Sequence, residues 1–122
     1  MPIIARKSIA LVFCLTLTSS AALAHAHLQR AEPPVGGVAA TSPKDIRLHF
    51  SEGVEPRLSG LKLTSEAGDA VPTGAPSLDP GDPSILVTPI DKPLAPGTYK
   101  VEWHAIAVDT HRTEGSFTFV VR

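Results

Sequence analysis

The chain has little of what usually staples a small domain or lines a broad binding surface. Of its 122 residues one is cysteine, one methionine, one tryptophan and one tyrosine, and aromatic residues make up 5%. The single cysteine, Cys14, lies inside an apolar N-terminal run and follows bulky Phe13, a context that does not suit lipoprotein cleavage. With that run removed as a leader no cysteine is left, so a disulfide framework and a Cys-ligated blue-copper centre are both excluded. No basic run or basic face studded with aromatics is visible, which leaves nucleic-acid binding without electrostatic support. No apolar stripe with helix caps occurs, and no internal repeat. Such a chain must rely on its own hydrophobic core, which a domain of roughly a hundred residues can supply.

The first residues have the three-part order of a secretory signal. Arg6 and Lys7 precede the apolar stretch Ile9–Thr18, and Ala22-Leu23-Ala24 closes it with a small-x-small box. The stretch is too short for a good membrane span. The expectation is a cleaved signal peptide over 1–24, one exported domain over 25–122, and a net charge that moves from −1 to −3 as Arg6 and Lys7 leave. Cleavage after Ala26 is the alternative, because Ala24-His25-Ala26 also fits the box.

What is present is short alternation. Ile46, Leu48 and Phe50 alternate with Arg47 and His49; Leu61 and Leu63 alternate with Lys62 and Thr64. Tyr99, Val101 and Trp103 share a face opposite Lys100, Glu102 and His104, and Phe117, Phe119 and Val121 share another. Each run predicts a strand with one buried face. Glu32-Pro33-Pro34-Val35-Gly36-Gly37 reads as a break, and Glu66–Pro83 as a long loop with one short strand near Ala70–Pro72. The sum is an all-β domain of about seven strands, a Greek-key β-sandwich or barrel.

Chemistry gathers at the two ends of the mature chain. Asp109 and His111 stand two apart between the strand-like runs Tyr99–Val108 and Ser116–Val121. In an extended backbone such residues share a side, so carboxylate and imidazole are expected to face one spot. By itself this motif is equally a turn with a solvated histidine. His25 changes the weighing, because cleavage after Ala24 gives it a free α-amine beside its imidazole. Amine and Nδ1 together chelate a metal, and nitrogen-rich tetragonal sites suit Cu(II). His111 would add a nitrogen, Asp109 an oxygen, and His27 a further imidazole. A competing mode needs no fold: a free His-Ala-His terminus binds Cu(II) through its amine, two deprotonated amides and the His27 imidazole. His49 and His104 fall opposite the apolar faces and are expected to be solvated.

Three segments, HAHLQRAEPP, IRLHFSEGVE and GTYKVEWHAIAVDTHRTEGSFTFVV, resemble in that order the CopC family of periplasmic copper-binding proteins, its YobA-like members in particular. The resemblance implies a cupredoxin-like β domain, a monomer, holding one Cu(II) through residues that match His25, Asp109 and His111. His27 matches the third-position histidine of one subgroup. Glu52 matches an acidic residue beside the copper site, where a carboxylate can orient a ligand imidazole or the terminal amine. The resemblance also implies sequestration of copper or its delivery to a CopD-type inner-membrane transporter. The chain departs from members with a methionine-rich Cu(I) loop, since its only methionine is Met1; a Cu(II)-only protein is expected. A filled ligand set favours holding metal over catalysis. The alternatives are an oxidative copper enzyme with a histidine-brace site, and a metal-free adhesion or structural sandwich.

Overall fold

Nine strands are present among the residues that the computed structural model describes, 25–122, the longer ones marked by alternating burial; the expected signal peptide lies outside the described residues. The strands are β1 (Leu28–Glu32), β2 (Val38–Ala39), β3 (Asp45–Phe50), β4 (Gly60–Ser65), β5 (Ala70–Val71), β6 (Ser77–Asp79), β7 (Asp82–Pro89), β8 (Gly97–Ile106) and β9 (Arg112–Val121). They form two sheets, β1-β3-β7-β6 and β2-β9-β8-β4-β5. Both sheets keep open edges, so the fold is a sandwich and not a closed barrel.

The expected faces are the observed ones. Ile46, Leu48 and Phe50 of β3, Tyr99, Val101 and Trp103 of β8, and Phe117, Phe119 and Val121 of β9 are all buried. Each fully buried side chain of this size contributes about 1.5–3 kcal/mol. Phe50 meets Trp103 edge to face at 5.4 Å, and Tyr99 stacks on Phe119 at 5.7 Å. Aromatic pairing at these distances adds to area burial.

Three boundaries differ from expectation. β2 lies just past the Glu32–Gly37 break, where no strand is expected, and β6 falls in the stretch read as a loop. Neither has a pattern of its own; β2 exists because Val38 and Ala39 pair in parallel with Val120 and Val121, and β6 because Ser77 and Leu78 pair with Val87 and Leu86. β9 begins at Arg112 instead of Ser116, since β8 and β9 pair without interruption from Gly97↔Val121 to Ile106↔Arg112. Gly115 interrupts the apolar alternation there for a steric reason. A Cβ at Gly115 would stand 2.7 Å from Cζ2 of Trp103, so the indole occupies that place.

The register also places the functional end. Leu28 pairs with Phe50, Gly60 with His104 and Ile106 with Arg112. The N-terminal segment, the β3–β4 connection and the β8–β9 turn therefore emerge at one end of the sandwich.

Candidate metal centre

The β8–β9 turn is built by short-range hydrogen bonds. The Thr110 N–H donates to the Ala107 carbonyl at 2.8 Å, and the Ala107 N–H to the His111 carbonyl at 2.9 Å. Thr110 adopts φ of 76°, a left-handed conformation that a β-branched residue rarely takes. Asp109 and His111 are thus not two places along an extended strand, as the sequence suggested; the turn brings them together instead. The Asp109 carboxylate accepts the His111 backbone N–H at 3.1 Å on Oδ1 and lies 3.1 Å from His111 Nδ1 on Oδ2. The His111 backbone N–H foremost, then its ring and the more distant His25, hold the Asp109 carboxyl below the usual range against the opposing effect of desolvation. The turn leans on the β3–β4 connection, because the Val108 N–H donates to the Gly53 carbonyl at 3.2 Å.

The N-terminal segment is fastened to the same end by two hydroxyls. Ser51 Oγ donates to the His25 carbonyl at 3.0 Å and accepts the His27 N–H at 2.9 Å. The Ser51 N–H donates to the His27 carbonyl at 2.8 Å. From the other side Thr113 Oγ1 donates to the Ala26 carbonyl at 2.8 Å, and Ala26 itself is wholly buried in the core. So tethered, the His25 ring lies 5.0 Å from that of His111, edge to face, and 6.0 Å from that of His27.

Two polar atoms at this end are buried without a hydrogen-bond partner, Nδ1 of His25 and Oε1 of Glu52. Leaving a buried polar group unpaired costs about 1–3 kcal/mol, and a cation bound at Nδ1 of His25 would satisfy that nitrogen. The donor set of imidazole nitrogens and carboxylate oxygens therefore fits a metal ion of borderline softness.

All five residues singled out from the sequence lie on segments meeting at this end. His25 approaches His111, and His111 approaches Asp109. His27 is exposed at the rim, and Glu52 sits between Ser51, which ties down the terminus, and Gly53, which ties down the turn. Among the described residues no three histidine, aspartate or glutamate side chains already converge as a metal cage. His49 pairs instead with Glu32 and Arg30 on the outer sheet face, and His104 lies beside Gly60 on β8. Ser51 and Thr113 are the functional residues that sequence reasoning missed. Their partners are 26 and 87 residues away, and no local pattern announces them.

Residues 28–122 match the family model of the CopC domain. Protein YobA of Escherichia coli K12 is 36% identical over 111 residues, spanning 91% of this chain and 90% of its own. Among solved structures, PcoC, a methionine-rich copper resistance protein from Escherichia coli, superimposes with a TM-score of 0.72 at 34% identity, covering 81% of this chain and 100% of that one. CopC from Methylosinus trichosporium OB3b superimposes at 0.73 with 31% identity, covering 80% and 93%.

Proposed function

The chain belongs to the CopC family of periplasmic copper-homeostasis proteins, which are metal carriers and not enzymes, and from that premise we propose that it holds one Cu(II) where its N-terminus meets the β8–β9 turn. One observation carries the reading. The rings of His25 and His111, from opposite ends of the chain, are brought within 5.0 Å, and the Nδ1 of His25 is buried with no partner. The α-amine and Nδ1 of His25, the imidazole of His111 and the carboxylate of Asp109 would form the ligand set. His27 adds an imidazole from the rim, and Glu52 orients the terminus or a ligand ring.

The reading needs cleavage after Ala24. Burial of Ala26 and its bond from Thr113 support that position over cleavage after Ala26, which would discard both a core residue and the His25 ring. The methionine-rich relative is a contrast: the only methionine here is Met1, outside the described residues, so no thioether site for Cu(I) accompanies the Cu(II) site. The physiological role in this reading is to sequester Cu(II) or to pass it to a CopD-type membrane transporter.

The test is titration of the mature protein with Cu(II), its N-terminus confirmed by mass spectrometry, followed by EPR. One equivalent with a nitrogen-rich tetragonal signal that changes in Asp109→Ala supports the site. A signal indifferent to both Asp109→Ala and His111→Ala would assign binding to the terminal peptide alone.

A further inference from the structure

The terminus offers Cu(II) two incompatible ways to bind, and the fold treats them differently. In the peptide mode the ion takes the α-amine, the amide nitrogens of Ala26 and His27 after loss of their protons, and the His27 imidazole. Those four nitrogens surround one ion in one plane, so the two amides must point the same way. The hydrogen bonds hold them pointing apart. The His25 carbonyl and the His27 N–H both face Ser51, at 3.0 and 2.9 Å, whereas the Ala26 carbonyl faces Thr113 on the opposite side at 2.8 Å. In a trans peptide the N–H runs opposite to the C=O. The Ala26 N–H is thereby directed away from Ser51, while the His27 N–H is bound to it. Turning either peptide would break the Ser51 or Thr113 bond and lift Ala26 out of the core.

We infer that Ser51 and Thr113 determine the mode of metal binding: they hold the terminus in the form that chelates through His25 toward His111 and deny the form that chelates through amides. The inference rests on the copper reading above, and it assigns a role to two hydroxyls that never touch the metal. It also makes a countable prediction. Peptide-mode binding forms two Cu–amidate bonds and releases two amide protons to solvent, with no change of oxidation state; the clamped mode releases neither.

The experiment is Cu(II) titration of the mature protein with proton release counted by pH-stat and the d–d band recorded. Wild type is expected to release no amide protons and to keep the longer-wavelength band of an amine, imidazole and carboxylate field. Ser51→Ala combined with Thr113→Val is expected to release two more protons per copper and to shift the band to shorter wavelength, with the near-UV circular dichroism of Trp103 retained. A double variant with the wild-type proton count and band overturns the inference, as does a wild type that already shows amidate coordination. A wild type that binds no copper beside a double variant that binds through amides would overturn the two-ended site and leave the clamp standing. Should the double variant lose its Trp103 signal, hydrogen exchange of the His27 amide in wild type decides: protection supports the clamp, and exchange at the rate of an unstructured peptide overturns it.

Discussion

Two clusters in this molecule combine histidine with carboxylate, and they differ in whether a cation is already there. On the outer face of β1 and β3, His49 lies 3.4 Å from Glu32, and the Arg30 guanidinium lies 3.3 Å from both ring nitrogens. Arg47 beside them pairs with Asp79 at 2.9 Å and Asp45 at 3.6 Å. At the end of the sandwich, His25, His27, Glu52, Asp109 and His111 gather with no guanidinium or ammonium group paired to the carboxylates among the described residues, and with two buried atoms unsatisfied. Residue type is nearly the same in both places. Arginine occupies one cluster, and among the described residues no arginine pairs with the carboxylates of the other.

The sharpest way to break this comparison is to remove one histidine from each cluster. His111→Ala is expected to weaken Cu(II) binding by more than the roughly 10–100-fold that follows loss of a residue which only orients a ligand, whereas His49→Ala leaves affinity unchanged. Competition with a chelator of known strength measures both, and equal losses would erase the distinction. Packing comes next. Gly115→Ala forces a Cβ against the Trp103 ring and is expected to destabilise the fold by about 1–3 kcal/mol, while Ser116→Ala on the outer side stays within about 0.5 kcal/mol; urea denaturation separates them.

Glu52→Gln keeps the shape of the side chain and removes its charge. Its expected effect on Cu(II) affinity is at the low end, about 10-fold, and an affinity equal to wild type would reduce Glu52 to a loop residue. The smallest effect concerns acid. Arg47 and the Gly81 N–H hold Asp79 below the usual carboxyl range, and the His111 N–H does so for Asp109. Both shifts are downward, so each carboxylate's stabilisation is complete above the ordinary carboxylate range and is lost as pH falls through the lowered value. High salt should weaken the Asp79 contribution, an ion pair open to screening, and spare that of Asp109, which rests first on a backbone hydrogen bond. Acid unfolding of Asp79→Asn and Asp109→Asn at two salt concentrations reads the difference.

Much of the sandwich is legible in the sequence, because β3, β8 and the second half of β9 alternate strictly and bury the residues that the alternation picks out. What is not legible is set by partners distant in the chain. β2 and β6 are strands only because β9 and β7 lie alongside them, and Gly115 looks like an interruption until Trp103 is seen in its place. The site shows the same division. Asp109 and His111 do meet, but through a turn with Thr110 left-handed and not through strand alternation. That the N-terminus reaches them is suggested by chemistry and by family resemblance; that Ser51 and Thr113 hold it there is visible only once the sheets are assembled.

The hydroxyl of Thr113 already links two positions 87 residues apart. A metal held between His25 and His111 would make that link far stronger and turn nearly the whole domain into one closed loop. For a covalent staple around a loop of 100 residues, the chain-entropy model puts the gain at about 4.7 kcal/mol. A domain without cysteine would thus borrow its only crosslink from its cargo, and resistance to heat and to proteases would report how much copper the compartment holds.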